Sequence, residues 1–268
     1  MTSVPVAGGR LHVERRGDGE PLLLIQGMGA NCDHWGEPFL SALEGRFELV
    51  LYEHPGTGRS GPIVGRVTTP SLAADALALL DALELERAHV FGFSMGGMVA
   101  QELALAVPQR IVSLTLAATS CGGTQSKPTS PEVVQAITSA ALSGDRERVL
   151  KTGFELVFSR AYAADPANLG PFADAVAINQ ASLTTLLAQR DALMAHDAYG
   201  RLRGLAVPTL VVHGTEDRLL DYVNGDLVAS MIPGARLEPL AGVGHLLFWE
   251  RPERVAQLVR EHADGCRA

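Results

Sequence analysis

The chain has 268 residues, 47% of them hydrophobic, with 30 acidic and 22 basic side chains and a formal charge of −8. That is enough apolar residue for one large core, and the acidic surplus leaves no basic stripe to hold a phosphate backbone, which argues against nucleic-acid binding. Three scattered cysteines without metal-ligand spacing (Cys32, Cys121, Cys266), no bilayer-length apolar run and no basic-then-apolar start predict a cytoplasmic protein with no metal, no cofactor and no membrane partner.

In chain order, Arg10 to Glu14, Leu22 to Gln26 and Glu48 to Tyr52 read as strands. Leu72, Ala76, Leu79 and Leu83 recur at helical spacing behind the start signal Pro70-Ser71. Ala88 to Phe93 and Ile111 to Ala117 are strand-like again. From 125 to 204 strand patterns vanish while helical ones persist at Val133 to Leu142, Arg146 to Phe158 and Ala173 to Met194. A β-branched run from Thr209 to Val212 restores the alternation, and Pro252 to His262 closes the chain as a helix with Val255, Leu258 and Val259 on one face. This predicts an α/β fold, a mostly parallel central sheet with helices on both faces. The core occupies residues 1–124 and 205–268, and 125–204 forms a helical cap lying over the carboxyl edge of the sheet, where ligands bind.

The chemistry starts at Gly92-Phe-Ser94-Met-Gly96-Gly97, where a hydrophobic run ends in a serine between glycines and a helical pattern follows at once. A strand, a sharp turn and a helix present the serine as a nucleophile, provided its neighbours are small. A hydroxyl needs a base, and the base needs a carboxylate to fix its tautomer. Both follow in order. Asp217 ends the segment His213-Gly-Thr-Glu-Asp, with Glu216 and Asp221 as competitors for the acid, and His245 stands in the loop Gly242-Val-Gly-His. His213 reads as a packed histidine at a strand end, and Cys121 as a small buried hydrophobe with no base beside it. Gly27-x-Gly29 lacks the lysine of a phosphate-binding loop, and Gly56-x-Gly58 runs into Arg59-Ser-Gly-Pro, which opens no helix.

These pieces, with Leu22-Leu-Leu-Ile-Gln-Gly27-Met28-Gly29, Tyr52-Glu-His-Pro-Gly56-Thr-Gly58-Arg59-Ser60, Pro208-Thr-Leu-Val-Val-His-Gly214-Thr-Glu-Asp217 and Glu250-Arg-Pro-Glu, cover nearly the whole chain and resemble the α/β-hydrolase fold, in its capped esterase, lactonase and carbon–carbon hydrolase branch. The family pattern puts the acid three residues past Gly214, at Asp217. Gln26 and Pro55 depart from it, standing where the family usually has histidine and arginine. The resemblance implies an oxyanion hole from the backbone N–H groups of Met28 and Met95, both beyond strand ends facing Ser94. His34, Trp35, Phe158 and Met194 are candidate pocket residues. The cap carries equal numbers of acidic and basic side chains, so the expected substrate is a small to medium, largely apolar ester, thioester or lactone, cleaved through an acyl-enzyme on Ser94. The alternatives are a carbon–carbon bond hydrolase with the same triad, or a nonhydrolytic cyclase or ligand-binding protein.

Overall fold

Successive residues along the inner strands point to opposite faces and both faces are apolar, so the sheet is covered twice. Leu22, Leu24, Leu49, Leu51, Phe91, Leu210 and Val212 pack on one side; Leu23, Ile25, Val50, Val90, Leu116 and Val211 pack on the other. In this computed structural model, which describes residues 2–266 except Asn179, the elements run β1 (Thr2–Val6), β2 (Gly9–Arg16), β3 (Glu20–Ile25), α1 (Glu37–Glu44), β4 (Phe47–Tyr52), α2 (Thr69–Ala82), β5 (Ala88–Phe93), α3 (Met95–Ala106) and β6 (Ile111–Ala117). They continue as α4 (Pro131–Leu142), α5 (Arg146–Val157), α6 (Arg160–Ala163), α7 (Leu169–Ala177), α8 (Leu183–Met194), β7 (Thr209–Gly214), α9 (Val223–Met231), β8 (Arg236–Leu240), α10 (Leu247–Glu250) and α11 (Pro252–Asp264).

The strand order is β1-β2-β4-β3-β5-β6-β7-β8. Strands β3 to β8 are mutually parallel, and β1 and β2 form an antiparallel flap on the β4 edge. Helices α1, α10 and α11 cover the first face, and α2, α3 and α9 the second. Because the parallel strands share one direction, the residues that follow β3, β5, β7 and β8 emerge along the same edge. The site is assembled there.

Strands β5 and β6 begin and end where the pattern puts them, whereas β1, β8, α1 and α9 were not foreseen. β1 buries only Val4, and β8 carries Pro239 with only Leu240 buried, so neither presents the apolar run of an inner strand. The single helical run expected from Ala173 to Met194 is two helices, since α7 ends at Ala177 and Ser182 caps a new one by accepting the Thr185 amide at 3.1 Å.

Between β6 and β7 the chain leaves the sheet for α4 to α8. The outgoing and returning legs are tied together by a bridge between Gly122 and Asp197, with Ala198 N donating to Cys121 O at 2.8 Å and Gly123 N to His196 O at 3.0 Å. Ala198, Leu202 and Leu205 already pack with the sheet. The inserted helices hold their own cluster of Phe154, Phe158 and Phe172, against which Trp249 packs from the other side. Among the described residues no helix is long and apolar enough to cross a membrane.

Candidate active site

Ser94 joins β5 to α3 with φ 54° and ψ −121°, a conformation a side chain adopts only under constraint. Its amide donates to Ala117 O at 2.9 Å, and its carbonyl accepts from Thr119 Oγ1 at 2.7 Å and Gly97 N at 2.9 Å. The glycines make the turn possible. A Cβ at Gly96 would collide with the carbonyl oxygen of Ile25, and one at Gly92 would sit 2.6 Å from the Ala100 methyl.

His245, beyond β8, lies between this serine and Asp217, beyond β7. Ser94 Oγ donates to His245 Nε2 at 3.1 Å, and His245 Nδ1 donates to Asp217 Oδ2 at 2.6 Å. The other carboxylate oxygen, Oδ1, accepts the amides of Leu219 and Leu220, each at 2.9 Å. His213 Nε2 donates to Leu220 O at 2.7 Å and stands 3.2 Å from Asp217 Oδ2, so a second imidazole braces the acid. Burial would raise Asp217, but the charge of His245 and the hydrogen bonds from His213 and His245 outweigh it and hold the carboxyl well below the usual range. The acid therefore stays ionised, and the line of three groups is able to carry the Ser94 proton to His245 while Asp217 stabilises the imidazolium.

Facing the serine is the loop after β3. Gly27 N donates to Gln26 Oε1 at 2.8 Å, Gly29 N to Gln189 Oε1 at 2.7 Å and Ala30 N to Gly27 O at 3.3 Å. Of these four successive amides only that of Met28 meets no protein acceptor among the described residues, and the Met95 amide at the start of α3 is likewise open. Gln26, where the family pattern has histidine, thus caps its own loop, and His54 Nε2 donates to Gln26 O at 3.2 Å from below. Burial pushes His54 down to about 4, so it sits there neutral.

A family model described as the α/β-hydrolase fold matches residues 20–252. The chain belongs to the α/β-hydrolase fold family. Among its relatives, a proposed carbamate hydrolase, RutD, of Azorhizobium caulinodans is 34% identical over 91% of each chain. A 2-hydroxy-6-oxononadienedioate/2-hydroxy-6-oxononatrienedioate hydrolase of Pseudomonas putida is 31% identical over 93% of this chain and 90% of its own. The crystal structure of the enol-lactonase from Burkholderia xenovorans LB400 superposes with a TM-score of 0.83 at 25% identity, covering 98% of this chain and all of its own.

In this α/β-hydrolase the expected pocket residues fare unevenly. Trp35 closes a 3₁₀ turn whose i and i+3 residues, Cys32 and Trp35, share the inward side, and its ring packs on Phe39, Phe91 and Phe248 in the core; that corrects the pocket expectation. Met194 is also corrected. It is 75% exposed, because α8 buries Thr185, Gln189 and Ala192 and Met194 falls on the opposite face. Phe158 is fully buried within the aromatic cluster of the insertion, stacked on Tyr162 at 4.6 Å. His34 is half-buried where the core meets α7, its carbonyl accepting Trp249 Nε1 at 2.9 Å. The rival acids are occupied elsewhere: Asp221 pairs with Lys127 and takes the Val223 amide, and Glu216 accepts the Arg160 amide. Burial pushes the Cys121 thiol up, away from nucleophilic use.

Two side chains at the site carried no role in the sequence reading. Glu250 is buried and takes three hydrogen bonds, from Ser159 N and Ser159 Oγ at the start of α6 and from Gly244 N beside His245. Gln189, fully buried on α8, donates Nε2 to Thr57 Oγ1 at 3.0 Å while its oxygen holds Gly29. The available signal for Gln189 was its i, i+4 spacing from Thr185, a polar pair on one helix face.

Proposed function

We propose that the protein is a serine hydrolase that cleaves an ester, thioester or lactone of a small to medium, largely apolar substrate through an acyl-enzyme on Ser94. The reading is carried by the hydrogen-bonded line Ser94–His245–Asp217, with the serine held in a constrained turn. His245 takes the hydroxyl proton as Ser94 Oγ attacks the carbonyl carbon. The amides of Met28 and Met95 face the oxyanion, each worth on the order of 3 kcal/mol in the transition state. Collapse breaks the bond to the leaving oxygen or sulfur, which receives the proton from His245. Water, deprotonated by the same imidazole, attacks the acyl carbon, the proton passes back to Ser94, and the carboxylic acid leaves. Helices α4 to α8 act as the cap over this edge of the sheet.

Relatives named as an enol-lactonase and as a 2-hydroxy-6-oxononadienedioate hydrolase keep two substrate classes in view. The ester reading asks only for the groups described above, whereas cleaving a dienedioate asks in addition for partners to two substrate carboxylates. The experiment is labelling with an alkyl fluorophosphonate and turnover of p-nitrophenyl esters. Adduct on Ser94 and loss of both labelling and turnover in Ser94→Ala are expected; binding of the ester without turnover by the native protein would overturn the hydrolytic reading.

A further inference from the structure

We infer that Gln189, a cap residue, positions the oxyanion loop, so that the cap takes part in the chemical step and not only in enclosing the substrate. The inference rests on the proposed role of the Met28 amide. Gly27 to Ala30 form a four-residue turn closed by Ala30 N to Gly27 O at 3.3 Å, with Gly29 at φ 71° in the third position, the pattern of a type II turn. Such a turn is soft. Its central peptide, between Met28 and Gly29, can flip toward the type I form, and that flip turns the Gly29 N–H to the other side of the loop. In a glycine-bounded loop nothing local opposes it.

What opposes it here comes from 160 positions away in the chain: the Gly29 N–H donates to Gln189 Oε1 at 2.7 Å. The amide side chain has no freedom to let go, because its Nε2 is spent on Thr57 Oγ1 at 3.0 Å and the whole residue is buried. Leu186, one turn earlier on α8, lies against Gly29, close enough that a Cβ there would meet its methyl. With Gly27 N held by Gln26 Oε1 on the other side, the Gln189 bond leaves the Met28 amide as the free donor of the turn. If the cap lifted, this bond would break and the turn that carries the Met28 amide would lose the restraint that fixes its central peptide.

A purely structural account would have Gln189 dock α8 on the core, as Thr185 does through its hydroxyl, which donates to Gly56 O at 3.1 Å. The two accounts separate in kinetics. Gln189→Met keeps the volume and removes the acceptor. Thr185→Val removes a docking bond of the same helix without touching Gly29. On p-nitrophenyl acetate, Gln189→Met should lower kcat by about tenfold or more with KM changed less than about threefold, since an oxyanion donor acts on the transition state. Its affinity for a trifluoromethyl ketone, which mimics the tetrahedral adduct, should fall by the same factor. Thr185→Val should keep kcat within about threefold of the native value. An unchanged kcat in Gln189→Met, or equal losses in the two variants, would overturn the inference. A Ser94→Ala protein that still turned over would instead overturn the underlying acyl-enzyme reading.

Discussion

Removing the Glu250 carboxylate should unfasten the loop that carries His245. Its Oε1 accepts the amides of Ser159 and Gly244, each at 2.8 Å, and Oε2 accepts the Ser159 hydroxyl at 2.7 Å. Ser159 and Gly244 are buried, so in Glu250→Ala no water is at hand to replace the acceptor. A stranded buried donor costs about 1–3 kcal/mol. Three donors on two residues relax together to some degree, which puts the loss at about 3–5 kcal/mol. With roughly 2–4 °C of Tm per kcal/mol in a domain of this size, the melting temperature should drop by roughly 6–20 °C. Glu250→Gln is the informative partner. Its oxygen still takes both amides and its NH2 can donate to the Ser159 oxygen, so only the charge-assisted part is lost, about 1–2 kcal/mol. Urea unfolding of both variants, followed by circular dichroism, gives the two numbers. A Glu250→Ala protein within about 1 kcal/mol of the native one, or a glutamine variant as damaged as the alanine one, would refute the reasoning.

His213 and His245 both touch Asp217, but only His245 touches Ser94; His213→Leu should lose about tenfold or less in kcat on an ester substrate, against ~10⁴ or more for His245→Ala, and equal losses would mean the base is misassigned. Glu102 concerns pH: burial would raise it, but the hydrogen bonds from Arg201 and His196 prevail and hold it at about 2, below its ordinary 4.5. A depressed carboxyl stabilises the fold above its ordinary value and stops doing so as pH falls from about 4.5 toward 2, so the stability gap between the native protein and Glu102→Gln should narrow between pH 7 and pH 3 in urea titrations; a constant gap would remove the ion pair as its cause. Phe158→Ala should cost about 3–5 kcal/mol because its ring is fully buried in the insertion's core, while Met194→Ala should stay within about 0.5 kcal/mol, and a large loss at Met194 would mean that α8 is rotated from the orientation described.

What could be read along the chain was whatever a short window determines. The inner strands are mostly apolar because both faces of the sheet are covered, and in β5 and β6 the few polar residues are buried, His89 and Ser113 pairing with each other across the strands. The serine turn is equally local, since the residues that make it work, Gly92, Gly96 and Gly97, all lie within three positions of Ser94. The edge elements could not be read this way. β1 and β8 bury one side chain each, and an edge strand is defined by its neighbour more than by its own composition.

In the insertion α4 and α5 stand where their periodicity puts them, whereas the inward face of α8 could not be read, and the reason bears on function. Helix α8 turns Thr185 and Gln189 inward and leaves Leu183, Leu187 and Met194 outward, the reverse of the pattern by which a helix announces its buried face. That inversion follows from what α8 rests on. Its floor is the two loops after β3 and β4, whose exposed peptide groups need hydrogen-bond partners, and an apolar face laid on them would strand Gly29 N and Gly56 O. A helix laid on such loops is therefore polar underneath, and its polar residues Thr185 and Gln189 are drawn into holding backbone at the sheet edge where Ser94 stands. The same logic puts a carboxylate, Glu250, between the start of α6 and the glycine beside His245. In both places a bond between the insertion and the sheet edge holds backbone beside the Ser94–His245–Asp217 line rather than the line itself, which is why the three residues that meet at the strand ends are legible by motif while those that hold their surroundings in place are legible only in the folded chain.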